Sequence, residues 1–188
     1  MQHPRLAGRT RSRRHFLAQS LAMTAGLCIA GEAPAAILKA GSDRTLAFHN
    51  LHTNESLKCR YWSNGGYDHA ALEDINFLLR DFHTDEIKAI DTRLLDLLTL
   101  VRRRLNTRQP YQVISGYRSP KTNAMLRARS RGVAKHSLHM AGKAIDVCLP
   151  GVELATLRET GLALKLGGVG YYPRSGFVHL DVGRPRFW

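Results

Sequence analysis

The chain has 188 residues, of which 44% are hydrophobic and 23% charged; these near-average values exclude a disordered or collagen-like chain and leave room for one domain of roughly 100–200 residues with an appendage. The formal charge of +13 suits a polyanionic partner, be it nucleic acid, an anionic membrane face or a carboxylate-rich polymer, and does not choose among them. Internal repeats and low-complexity tracts are absent.

In chain order, Arg5, Arg9, Arg11, Arg13 and Arg14 precede an apolar run from Phe16 to Ala30, and Ala33-Pro34-Ala35 follows with the small residues of a cleavage site. Residues 1–35 therefore read as an export signal peptide. The apolar run is shorter than the about 20 helical residues a bilayer core takes, so no permanent membrane span is expected. Ser12-Arg13-Arg14-His15-Phe16-Leu17 resembles a twin-arginine signal, which implies the twin-arginine export machinery as a partner and the periplasm as destination. Removing this leader takes away five of the 28 basic residues and Glu32 of the 15 acidic ones, leaving 23 and 14, a charge of +9.

Residues 36–188 form the expected domain. Two apolar runs between Arg44 and Trp62 flank Leu51-His52-Thr53-Asn54-Glu55 and predict an N-terminal β-hairpin. Ala70, Ala71, Leu72, Ile75, Leu78, Leu79 and Phe82 follow helical spacing, as do Leu94 to Leu105 after a capping Asp91. Tyr111–Ser115 reads as a strand, Lys121–Ser130 as a polar helix, Lys143–Leu149 as a strand and Val152–Lys165 as a helix. Gly168–Tyr172 and Phe177–Val182 are two closing strands around the turn Pro173-Arg174-Ser175-Gly176. Mixed strands and helices with short connections give an α+β domain with a small, mainly antiparallel sheet. Cys59 and Cys148 remain after the leader and are expected as two free core thiols.

Chemistry concentrates in Ser137-Leu138-His139-Met140-Ala141-Gly142-Lys143-Ala144-Ile145-Asp146 and in Phe177-Val178-His179-Leu180-Asp181. Catalytic zinc takes three protein ligands from His and Asp or Glu and keeps a fourth position open, and His139, Asp146 and His179 supply such a set. Gly142 permits a turn between the first two, and the third comes from a strand able to lie beside that of Asp146. On spacing alone, satisfied polar or surface groups remain an alternative. The other histidines, His49, His52, His69 and His83, lack ligand spacing.

The run Ser-x-His-x-x-Gly-x-Ala-x-Asp with a downstream strand histidine resembles the signature of the zinc peptidases of the lysostaphin, D-alanyl-D-alanine carboxypeptidase and sonic hedgehog type. Together with Leu51-His52-Thr53, Ser115-Gly116-Tyr117-Arg118-Ser119 and Gly167-Gly168-Val169-Gly170-Tyr171-Tyr172-Pro173, it is similar to the YcbK/MepK-type murein endopeptidases over essentially the whole mature chain. That resemblance implies a hedgehog/DD-peptidase-like fold, Zn2+ bound by His139, Asp146 and His179, and hydrolysis of D-Ala–diaminopimelate or diaminopimelate–diaminopimelate cross-links in peptidoglycan. It also implies a catalytic role for Arg118, beside the substrate carbonyl, where a guanidinium stabilises developing negative charge. Many relatives carry an acid or histidine three residues before the last ligand, where this chain has Gly176. Asp181 is then the candidate general base, since residues two apart on a strand share a face; its alternative role is to orient a ligand. His136 is a further candidate base, Ser137 reads as a local cap, and Tyr171 and Tyr172 as candidates to line the groove. Two other functions stand beside the endopeptidase: a carboxypeptidase trimming stem peptides, and a non-catalytic zinc-containing peptidoglycan-binding module. Nucleic acid is not expected, because no recognition motif accompanies the charge.

Overall fold

The structure, a computed structural model, describes residues 42–130 and 132–188; the expected leader lies outside them. The chain begins with the hairpin, β1 (Arg44–Asn50) and β2 (Ser56–Ser63), followed by a two-residue strand β3 (Gly66–Tyr67). Helix α1 (His69–Leu78) is capped by Asp68, and α2 (Thr92–Arg104) by Asp91, each side chain accepting from a first-turn backbone N–H. Strand β4 (Tyr111–Ser115) leads to α3 (Pro120–Arg129), whose N-cap is Ser119 and whose first residue is proline. A single 3₁₀ turn (Leu138–Ala141) precedes β5 (Ala144–Cys148), then come α4 (Leu154–Leu164), β6 (Gly168–Tyr172), β7 (Phe177–Asp181) and the two-residue β8 (Arg186–Phe187).

The strands form one sheet in the order β3-β2-β1-β4-β5-β7-β6-β8. Five pairings are antiparallel, and β1 with β4 and β6 with β8 are parallel, so the α+β class with a mainly antiparallel sheet is as expected. Two short strands, β3 and β8, widen it beyond the sequence reading. The first helix is shorter than its apolar spacing suggests. Asp81 accepts from the backbone N–H groups of His83 and Ser119 at 2.9 and 2.8 Å, a local turn that competes with helix continuation. Phe82 instead stacks on His52, with centroids 3.9 Å apart.

Strand alternation sorts the sheet into two faces. Ile145, Val147, Val169, Val178 and Leu180 are buried in the hydrophobic core with the leucines of α2. Their neighbours in sequence, Asp146, His179, Asp181 and Gly170, point the other way, which is the face that carries the chemistry. Cys59 and Cys148 are free thiols. They lie on β2 and β5, with β1 and β4 between, about 14 Å of strand spacings apart and beyond the reach of a disulfide.

Candidate metal centre

His139 sits in the 3₁₀ turn, and that turn exists because Gly142 ends it at φ 65°. A Cβ at Gly142 would lie 2.4 Å from the Ala89 carbonyl oxygen, so both the left-handed backbone and the close approach require glycine. Ser137 caps the turn, its Oγ accepting from the His139 N–H at 3.4 Å. Asp146 and His179 are placed by the sheet itself, as directly opposed partners on β5 and β7.

These three side chains converge. His139 Nε2 lies 3.1 Å from His179 Nδ1 and 3.3 Å from Asp146 Oδ1, and His179 Nδ1 lies 2.8 Å from the same oxygen. All three residues are buried. The remaining ring nitrogens settle the tautomers. His139 Nδ1 faces the Gly116 carbonyl at 2.8 Å, which can only accept, so Nδ1 carries the proton. His179 Nε2 faces Asp181 Oδ2 at 3.1 Å and donates to it. With each ring neutral, its inner nitrogen offers a lone pair toward Asp146 Oδ1, and the three atoms face one shared point that protons or a metal ion can occupy. With protons there, burial raises the Asp146 carboxyl but the charged imidazoles outweigh it and hold the group well below the usual carboxylate range. Burial in turn lowers His179, but Asp146 and Asp181 outweigh it and raise the ring. Such a trio is the one group of His, Cys, Asp and Glu among the described residues with the closeness to hold a metal ion, and its donor chemistry fits a divalent cation.

Asp181 takes a position different from the one expected of a base. It lies behind His179, on the nitrogen remote from the trio, and is fully buried. Its oxygens accept from the Gly168 and Gly183 N–H groups at 3.0 and 2.8 Å and from both Arg186 Nη atoms at 3.1 and 2.7 Å, besides His179. Burial raises this carboxyl and those donors more than offset it, holding Asp181 well below the usual carboxylate range.

Arg118 is aimed by its own segment. Tyr117 N–H donates to the Leu79 carbonyl at 2.7 Å, Gly116 packs so close that a Cβ would meet that oxygen at 2.5 Å, and Asp81 accepts from Ser119. So clamped, Arg118 places Nη2 3.6 Å from Asp146 Oδ2. A cleft of about 520 Å³ opens over the trio, with Arg118, His136, Tyr172, Phe177, Arg186 and Trp188 among its walls. Tyr172 thus lines the groove as expected, whereas Tyr171 lies out of it, under Arg158. His136 reaches the cleft wall; His49, His52, His69 and His83 do not. Gly176 has φ 75° and open space around its Cα.

Sequence reasoning missed Arg186 and Trp188. The Trp188 indole lies 5.2 Å from the His179 ring, donates to Tyr172 Oη at 2.7 Å and fits over β6 because Gly170 has no Cβ.

A buried His-Asp-His trio on the open face of a mixed sheet defines a metallopeptidase-type site, and comparison with known proteins agrees. The family model described as Peptidoglycan L,D-endopeptidase MepK matches residues 38–188. The MepK protein of Escherichia coli K12, named a peptidoglycan L,D-endopeptidase, is 47% identical over 153 residues, covering 81% of this chain and 84% of its own. A probable peptidoglycan L,D-endopeptidase MepK of Haemophilus influenzae is 38% identical over 164 residues, covering 87% and 88%. The chain belongs to this MepK family of murein endopeptidases.

Proposed function

We propose that the mature protein is a periplasmic zinc-dependent endopeptidase that hydrolyses peptide cross-links of peptidoglycan. The observation that supports the metal requirement is the trio of His139 Nε2, His179 Nδ1 and Asp146 Oδ1 converging on one point. Its edges of 2.8 to 3.3 Å suit zinc, since ligands at about 2.0–2.1 Å in a tetrahedron stand about 3.3 Å apart. Bound zinc supplies the Lewis acidity that polarises a scissile carbonyl and acidifies water.

The chain's own groups do the rest. Gly116 and Asp181 fix the two imidazoles as neutral ligands, and Asp181 serves as the orienting partner of His179, since five donors already occupy its oxygens. Arg118, preorganised at the cleft wall, stabilises the oxyanion and can pair with a stem-peptide carboxylate. The relatives' L,D designation favours the diaminopimelate–diaminopimelate bond, which joins an L to a D centre, over the D-Ala–diaminopimelate bond, which joins two D centres. Residues 1–35 serve as the leader, outside the family match that starts at residue 38, and Ser12-Arg13-Arg14-His15-Phe16-Leu17 supports the twin-arginine route for its export. Among the described residues no helix is long and apolar enough to cross a membrane.

Digestion of purified muropeptides tests this reading. Zinc-loaded protein is expected to convert diaminopimelate–diaminopimelate dimers to monomers, and chelation or His139→Ala to lower the rate by more than about 10³-fold. Monomers that lose terminal D-Ala while dimers persist would point instead to a carboxypeptidase, and no conversion of either by zinc-bound protein would point to a binding module.

A further inference from the structure

Arg186 lies on β8, which pairs in parallel with β6 so that Arg186 stands opposite Gly168. Its guanidinium reaches both oxygens of Asp181, with Nη2 2.7 Å from Oδ2 and Nη1 3.1 Å from Oδ1. Oδ2 is the same atom that receives the His179 Nε2–H. Space for this pairing is built into the backbone. A Cβ at Gly168 would stand 2.4 Å from Asp181 Oδ2 and 2.6 Å from Arg186 Nη1, and one at Gly183 would stand 3.0 Å from Asp181 Oδ1 and 3.1 Å from the same Nη1. Trp188 lies 5.0 Å from the guanidinium and 5.2 Å from the His179 ring, so one indole packs beside both ends of the chain of contacts.

We propose that Arg186 is a positioning residue of the metal centre, acting through Asp181 on His179. A carboxylate gripped at one point can swing about its bond to Cβ, whereas a two-pronged guanidinium fixes its plane. That plane sets the direction of the Nε2–H bond, which sets the imidazole ring, which aims Nδ1 at the point shared with His139 and Asp146. The guanidinium also supplies the positive charge that a fully buried carboxylate needs. Lysine, a point donor, keeps the charge and loses the fork.

The inference rests on the zinc reading above, and its test separates the two. Zinc affinity of the full mature protein is measured by competition with a chromophoric chelator, and ligand geometry by the visible spectrum of the cobalt(II)-substituted protein. Arg186→Ala is expected to weaken zinc binding by roughly 10- to 100-fold and to alter the cobalt bands, with Arg186→Lys between it and the parent. In an Asp181→Asn background, Arg186→Ala should cost less than about threefold more, because the two act as one unit. Equal losses in both backgrounds would overturn the proposal, as would unchanged zinc affinity with a raised KM, the mark of a substrate contact. Should Arg186→Ala fail to fold, Arg186→Lys carries the test, and parental zinc affinity in that variant overturns the proposal. His139→Ala run alongside reports on the centre itself. If it binds zinc as tightly as the parent, the metal assignment falls; if it loses zinc while the Arg186 variants do not, only the relay falls.

Discussion

Two buried carboxylates, Asp96 on α2 and Asp146 on the interior strand β5, show how a structural polar cluster differs from a functional one. Asp96, on α2, is 4% exposed and receives Arg44 Nη1 at 2.7 Å and Tyr61 Oη at 3.0 Å on one oxygen and Tyr67 Oη at 2.9 Å on the other. Arg44 also stacks on Trp62. Every contact there pairs a donor with an acceptor, and the cluster fastens the hairpin to α2. Asp146 is about as buried, at 6%, but its near neighbours on the Oδ1 side are nitrogens of two imidazoles whose outer ring nitrogens are engaged by Gly116 and Asp181. In the first cluster both carboxylate oxygens have donors, and the polar atoms left over, Arg44 Nε and Trp62 Nε1, are themselves donors. The second gathers three potential ligand atoms around one point that calls for positive charge, from protons or a metal ion, and that convergence, rather than burial or polarity, marks the site.

The comparison breaks or holds on metal-free stability. Asp96→Ala strands the Arg44 charge, 3% exposed, and should cost about 3–5 kcal/mol in urea unfolding, with or without zinc. Asp146→Ala also removes native contacts, but the imidazoles it leaves can shed their protons, as Arg44 cannot. In chelator it should therefore cost clearly less than Asp96→Ala, yet abolish the stabilisation that added zinc gives the parent by binding the folded state. Equal losses for the two variants in chelator would erase the distinction.

Arg118 sharpens it further, since this cation borders the second cluster and, at 3.6 Å from Asp146 Oδ2, is too distant for a hydrogen bond to it. Its Nη2 instead donates to Ser115 Oγ at 3.3 Å. Arg118→Ala should lower kcat by about 10²–10³-fold while zinc affinity and unfolding midpoint stay near parental values. A loss confined to zinc affinity would instead make Arg118 a brace for Asp146.

How far the sequence speaks follows from the range of the interactions involved. Two of the trio stand out by alternation: Asp146 between Ile145 and Val147, and His179 between Val178 and Leu180, are polar residues set into strands whose other face is core, whereas His139, in a 3₁₀ turn, is legible only through the Ser-x-His-x-x-Gly-x-Ala-x-Asp motif. β4 and β6 run over the residues that the sequence marked, because short runs that put Tyr111, Val113 and Val169 into the core are bounded by turn and loop residues on both sides. Helix α1 was overread because the Asp81 turn depends partly on Ser119, far along the chain. Arg186 and Trp188 were illegible for the same reason. A two-residue strand carries no periodicity, and Arg186 is one of 28 basic residues until β8 pairs with β6 and sets it against Asp181.

The smallest expected effect concerns Gly176, in the turn between β6 and β7, at the position where many members of the wider zinc-peptidase group carry an acid or histidine. Nothing lies within 4 Å of a Cβ built there, and φ is 75°. A side chain would meet open space and pay only for the left-handed backbone, so Gly176→Ala should cost about 1 kcal/mol of stability. Turnover of cross-linked dimers should stay within about twofold of the parent, because the orienting contacts of His179 come from Asp181 and its four other donors, all away from this turn. A large fall in kcat with zinc still bound would mean that the bare backbone at Gly176 gives the substrate room that even a methyl group removes, and the turn would then join the cleft wall.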